Sequence, residues 1–211
     1  MLRDEVGRIV GDAIHAGWNT VARYGAIGPR HRRARSFLKF GNGSMITFPP
    51  TVIFGEGRIA IGEGTTIGPL ASLSAGMPVH AGLRGDPIIS IGDRCVLGKG
   101  IGIVGHERIE IGNDIWTGHY IYITDQNHGY EDPDVPVGLQ PTKEGAVRIG
   151  SGSWLGANSV ILPGTQLGRN CVVAAGAVVR GCFPDHTVVA GVPAAPVRVL
   201  KDGEWQRPTA R

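Results

Sequence analysis

The sequence predicts an all-β protein, a parallel β-helix of stacked hexapeptides, and three observations carry that prediction. Glycine supplies 34 of the 211 residues, roughly twice its average usage of ~7 %. Aliphatic residues recur at every sixth position over much of the chain. Glycine keeps a fixed phase beside them. Neither a 3.6-residue nor a strict two-residue period produces that pattern. Short parallel strands joined by tight turns do. Three such faces close a triangular coil of about eighteen residues. Coils then stack at strand spacing, roughly 4.8 Å. One coil cannot bury its own face, so several must stack.

Residues 1–50 stand outside the repeat. Leu2, Val6, Ile9, Val10, Ile14 and Trp18 share one helical face, which predicts an amphipathic helix over 2–24. Its apolar side is expected to pack on a coil or on a neighbouring subunit. Arg30, Arg32, Arg33, Arg35 and Lys39 follow within ten residues. The stretch 30–39 reads either as a solvated linker or as a contact for an acidic ligand, a partner or a membrane surface.

The repeat domain is expected over 51–200. Its first block places Ile61, Ile67 and Leu73 inward, and the second Ile91, Leu97 and Ile103. The third places Ile111, Thr117 and Ile123. The last runs Ile149, Leu155, Ile161, Leu167, Val173 and Val179. Four positions after these come small or apolar residues such as Thr65, Ala71, Cys95, Ile101, Ser153, Cys171 and Ala177. The glycine that follows many of the aliphatics, as at Gly62, Gly98, Gly112, Gly118 and Gly156, suits unusual corner angles or a close approach. Residues 74–90, 104–110 and 124–147 break the period. Excursions from a rigid scaffold are where sites concentrate. The tail, 201–211, is polar, holds Trp205, and is expected to be docked or frayed.

Composition excludes several classes. A net charge of +3 is too small by itself to imply nucleic acid. No apolar run approaches ~18 residues, the length of a membrane-spanning helix. The first ten residues lack the apolar core of a secretory signal, so a cytoplasmic protein is the default. Cys95, Cys171 and Cys182 form no close pair, which argues against a disulfide framework or a zinc ribbon. Cys95 and Cys171 fall at inward positions and read as core. No metal-ligand set is assigned.

The long excursion carries the candidate chemistry. It reads Thr124-Asp125-Gln126-Asn127-His128-Gly129-Tyr130-Glu131-Asp132-Pro133-Asp134. Histidine titrates near neutrality and suits removal of a hydroxyl proton. From the residues alone, His128 is equally a solvated loop histidine. Asp125 and Asn127 are candidates to hydrogen-bond an acceptor's hydroxyls, or else to form local turns. Tyr120, Tyr122, Tyr130 and Trp116 could supply a stacking surface for a sugar, although Trp116, at the repeat phase of Trp154, equally reads as covering a corner. Glu131, Asp132, Asp134 or a backbone carbonyl could orient the imidazole.

This chain resembles the hexapeptide-repeat acyltransferases, in particular the sugar O-acetyltransferase branch with its maltose and galactoside enzymes. The phased repeats carry the resemblance over roughly 52–200. His128 follows Ile111 by seventeen residues (128 − 111), and Trp154 follows Ile149 by five (154 − 149). These offsets match that branch. The segment Ala190-Gly191-Val192-Pro193-Ala194-Ala195-Pro196-Val197-Arg198 is similar to its closing motif. The resemblance implies a left-handed β-helix, a homotrimer and an acyl-CoA cosubstrate, acetyl-CoA or another. His128 would be general base toward a hydroxyl of a carbohydrate or glycoconjugate. The CoA arm would run past Trp154, Ala157 and Ala175, with its anionic end near Arg180, Arg198 and Lys201.

Departures from the branch are also legible. Gly98 stands where the sugar-acetylating enzymes carry asparagine, leaving Lys99 or His106 to compensate. Ala195 stands where many members carry Lys or Arg. Two other classes remain open. One is a zinc hydratase like the γ-type carbonic anhydrases, with His106, His119 and His128. The other is a non-enzymatic scaffold.

Overall fold

The computed structural model describes residues 2–76 and 85–208. After one α-helix, α1 (Leu2–Gly25), the chain winds through short strands that visit three sheets in rotation. The first sheet stacks Lys39–Phe40, Ile59–Ile61, Ile89–Ile91, Ile109–Ile111, Val147–Ile149, Gln166–Leu167 and Cys182–Phe183 in that order. The second contains Thr66–Ile67, Val96–Leu97, Trp116–Thr117, Trp154–Leu155 and Val172–Val173. The third contains Ser72–Ala75, Gly102–Gly105, Tyr122–Thr124, Val160–Ile161 and Val178–Val179. Within these circuits every neighbouring pair is parallel. The sheets are three walls round one core.

Register explains the six-residue period. Ile61, Ile91, Ile111, Ile149 and Leu167 lie side by side along the first wall. Leu73, Ile103, Ile123, Ile161 and Val179 do so along the third. All are buried. Fully burying such a side chain is worth about 1.5–3 kcal/mol, and the rows repeat it at each level. Cys95 and Cys171 are also buried. Burial pushes both thiols above their usual range, so neither is a ready nucleophile.

The glycine after each aliphatic serves close approach. A Cβ on Gly118 would lie 2.6 Å from the Ala157 nitrogen, and one on Gly112 would lie 2.6 Å from that of Ser151. Neither glycine has a positive φ. The left-handed backbone comes two positions later, at Arg94, Gly100, Asp114, Tyr120, Asn158 and Gly176 among others. These turn the corners.

Both ends extend the coil beyond the expected 51–200. Lys39–Phe40 pairs in parallel with Ile59–Ile61, and Met45–Ile46 with Thr66–Ile67. A first circuit therefore forms within residues expected to lie outside the repeat. At the other end, Thr187–Gly191 reverses into an antiparallel partner, Ala194–Lys201, and that pairs with Glu204–Gln206. Asp202 and Gly203 both have positive φ, as a tight two-residue hairpin requires. Trp205 thus sits in a strand, not in a frayed tail.

The apolar side of α1 does not pack along a coil of its own chain. Val6, Ile9, Val10, Ile14 and Val21 are exposed. Among the described residues of that face, Trp18 makes a ring contact, with Phe48 at 6.3 Å between centroids. The side chain of Leu2, residues 77–84 of the first interruption and residues 209–211 of the tail lie outside the described residues. Among the described helices, none is long and apolar enough to cross a membrane.

Candidate active site

The 124–147 excursion leaves the fourth circuit at the corner between the third and first walls. Its base is a two-stranded antiparallel ribbon, Gln126–His128 against Thr142–Glu144. The Gly145 N–H donates to the Asp125 carbonyl at 2.7 Å, so the segment leaves and rejoins the coil at one point. Gln140 ties the far part together. Its amide donates to the carbonyls of Asp132 and Val135, both at 2.8 Å. His128 is exposed on this ribbon, directly opposite Thr142. Asn127 lies opposite Lys143 on the other face. Tyr130 is 74 % exposed.

Asp125 corrects an expectation. Its residue is fully buried. Its carboxylate accepts the backbone N–H groups of His106, Glu107 and Arg108 at 2.7–2.8 Å. Both oxygens are committed, so it is not placed to bind an acceptor hydroxyl. It closes the irregular step at 104–110 in the circuit below. The fold brings those N–H groups to it from nearly twenty residues away.

Two of the carboxylates expected to orient His128, Glu131 and Asp132, are engaged elsewhere, and the third, Asp134, is exposed in the far part of the excursion. Glu131 accepts from Lys143 and from the Tyr130 N–H. The Lys143 ammonium holds its carboxyl below the usual range. Asp132 accepts from the Asp134 N–H at 3.0 Å. The residues that share the His128 face of the ribbon are Gln126, Thr142 and Glu144, because side chains alternate along a strand. The Thr142 hydroxyl donates to Glu144. A Glu144 oxygen lies 3.9 Å from Nδ1 of His106. The Gln126 side-chain oxygen is buried and has no partner. Neither Thr142 nor Glu144 stands out in the sequence. Their only signal there is the alternation of Thr142-Lys143-Glu144.

The expected cofactor residues divide between two places. Trp154 points outward on the second wall beside Trp116, and they are 53 % and 61 % exposed. Ala157 and Ala175 occupy successive levels of the corner between the second and third walls, the second of them exposed. Arg198 and Lys201 extend the second wall on its antiparallel strand. Arg180 instead follows Val178–Val179 at the corner between the third and first walls. That is the corner from which the His128 ribbon springs. Within one chain, a whole wall separates His128 from the Trp154 side.

Gly98 leaves no room for the asparagine of the sugar-acetylating pattern. A Cβ there would collide with Gly118 and lie 3.1 Å from Nδ1 of His119. His119 already accepts the Lys99 N–H at 3.1 Å. His106 and His128 stand at the third-to-first corner on successive circuits while His119 stands at the second-to-third corner, so the three do not converge. No group of three His, Cys, Asp or Glu side chains fit to hold a metal occurs among the described residues. The residues therefore do not suit a zinc hydratase. The basic stretch is partly tied down. Arg33 pairs with Glu56 at 3.0 Å and donates to the Ile53 carbonyl. Around it, His31, Arg32, Arg33 and Arg35 line a cavity of about 760 Å³.

Residues 146–181 match the bacterial transferase hexapeptide model of six repeats. Over 162 residues the chain is 36 % identical to a protein of Escherichia coli (strain K12) named lipopolysaccharide biosynthesis O-acetyl transferase WbbJ. The match covers 74 % of this chain and 78 % of that one. It is 34 % identical over 169 residues to an acetyltransferase of Mycobacterium tuberculosis, covering 75 % of this chain and 55 % of the relative. Among solved structures, the N-acyltransferase AntD of Bacillus cereus, in complex with dTDP and coenzyme A, superposes with a TM-score of 0.69. There the identity is 19 %, with 84 % and 91 % of the two chains covered. The chain belongs to the hexapeptide-repeat acyltransferase family.

Proposed function

We propose that this protein transfers an acyl group, acetyl in the first instance, from acyl-CoA to a hydroxyl of a sugar or glycoconjugate, with His128 as general base. One observation carries the reading. His128 is an exposed imidazole on a ribbon anchored to a rigid coil. It stands at the offset of the family's histidine, in a chain closely similar to a named O-acetyl transferase. The unprotonated imidazole nitrogen takes the hydroxyl proton as the oxygen attacks the thioester carbonyl. The tetrahedral oxyanion is stabilised by nearby donors such as backbone N–H groups. The C–S bond then breaks, and the thiolate of CoA takes the proton from the imidazolium. The reading needs no acyl-enzyme: Cys95 and Cys171 are buried with raised pKa, and the exposed Cys182 lies on the first wall, two strands beyond Val147–Ile149, the strand that follows the His128 ribbon.

The division of the expected residues between two corners favours a site completed between subunits. In a left-handed homotrimer, the 124–147 excursion of one subunit reaches toward the Trp154, Ala157 and Ala175 side of the next. Asn127 and Tyr130, exposed on the excursion, are the acceptor contacts of this reading. The test is a thiol-release screen of acyl-CoA donors against a panel of sugars, with His128→Ala as control. The variant should lose ~10²–10⁴-fold in kcat, the usual contribution of general acid–base catalysis, with donor affinity unchanged. Near-full turnover by the variant on a confirmed acceptor overturns the assignment.

A further inference from the structure

An imidazole that acts as a base needs its second nitrogen held by an acceptor, which sets the tautomer and aims the ring. Of the carboxylates after His128, Glu131 is bound to Lys143 and to the Tyr130 N–H and Asp132 to the Asp134 N–H, while Asp134 is exposed in the far part of the excursion. What stands opposite His128 is Thr142. Directly opposed residues of an antiparallel pair have Cβ atoms about 4.5–5.5 Å apart on the same face. A hydroxyl offers one proton and two lone pairs. The Thr142 proton is committed, because its Oγ1 donates to Oε1 of Glu144. Its lone pairs are left to accept.

We infer that Thr142 is a positioning residue for His128, with its hydroxyl locked by Glu144 so that it accepts the N–H of the imidazole and leaves the other nitrogen free for the acceptor. The inference rests on His128 being the base. Glu144 is itself braced, with its Oε1 3.9 Å from Nδ1 of His106. That histidine's backbone N–H is in turn pinned by Asp125 at 2.8 Å. With the inferred His128–Thr142 contact, the Thr142–Glu144 bond and the looser approach of Glu144 to His106 link the ribbon face toward the circuit below. Such contacts are commonly long in a ligand-free site and tighten when substrates bind.

The test is steady-state kinetics of Thr142→Val, Thr142→Ser and Glu144→Gln beside His128→Ala, with the acyl donor and sugar acceptor found by the screen. Valine keeps the shape and removes the hydroxyl; serine keeps the hydroxyl. Thr142→Val should lower kcat about tenfold to a hundredfold, taking for a catalytic histidine the range seen for the outer partner of a metal-bound one. KM for the donor should hold. Thr142→Ser should restore at least half of the lost rate. Glu144→Gln still accepts the hydroxyl proton and should cost less than Thr142→Val. If His128→Ala abolishes turnover while Thr142→Val keeps it, the positioning role is wrong and the base stands. If Thr142→Ser is as slow as Thr142→Val, the effect is packing and the inference also fails. If His128→Ala is active, the base assignment itself falls.

Discussion

Replacing Asp125 by alanine separates a structural carboxylate from a substrate-binding one. Three backbone N–H groups, those of His106, Glu107 and Arg108, end on its two oxygens at 2.7–2.8 Å. A hydrogen bond to a charged group is worth about 1.5–3 kcal/mol, and a buried donor left unpaired costs about 1–3 kcal/mol. Glu107 and Arg108 are exposed, so water can reach part of the opened step. A net loss of about 3 kcal/mol follows, near the lower end of three such donors. For a chain of this size each kcal/mol moves Tm by about 2–4 °C, so the fall should be about 6–12 °C. Thermal unfolding followed by circular dichroism measures it. KM for the acceptor, taken well below the new Tm, gives the second arm. A Tm shift under about 2 °C together with a raised acceptor KM would refute the reasoning and return Asp125 to the acceptor site.

Two further outcomes test other parts of the molecule. Replacing Arg180 and Arg198 by alanine should raise KM for acyl-CoA more than for the acceptor, and more for acyl-CoA than for an acyl-pantetheine, since charge-assisted contacts to phosphate are lost. Equal effects on both donors would move the nucleotide end elsewhere. Asp114→Asn tests acid stability: the hydrogen bonds from Arg94, at 2.7 and 2.8 Å, hold the Asp114 carboxyl below its usual range. A lowered folded pKa gives stability that is full above the unfolded value, about 3.9, and is lost as pH falls through the folded one. Asparagine tolerates the positive φ of position 114. Wild type should therefore exceed the variant in Tm at pH 6, and the gap should begin to close only as pH falls below about 4, through the lowered folded pKa; a gap constant with pH counts against the pair.

The sequence by itself determined the inward rows. Burial inside three walls is periodic, and Ile61, Ile91, Ile111, Ile149 and Leu167 declare it whatever their neighbours are. It also placed His128 on the excursion that breaks the period, while its role as base came only from the offset of the family the chain resembles and is the proposal that His128→Ala tests. Short elements escaped. Met45–Ile46 is too brief to show a period, so the first circuit was invisible until its pairing with Thr66–Ile67 was seen. Glycine phase was half legible: composition marks the tight spots, but only stacked backbones show that Gly118 yields to Ala157 while Asp114 turns the corner.

The site's wiring was decided by tertiary structure. Asp125 looks like a loop carboxylate free to bind sugar until residues 106–108 of the circuit below present their N–H groups to it. Thr142 lies fourteen residues from His128 in sequence (142 − 128) and directly opposite it in the ribbon. Arg180 and Trp154 belong to one expected cofactor set, yet they stand at different parts of the prism. Each case depends on contacts between circuits. A chain of hexapeptides dictates that circuits stack, but which polar groups meet across a corner is set by where each excursion leaves and rejoins the coil.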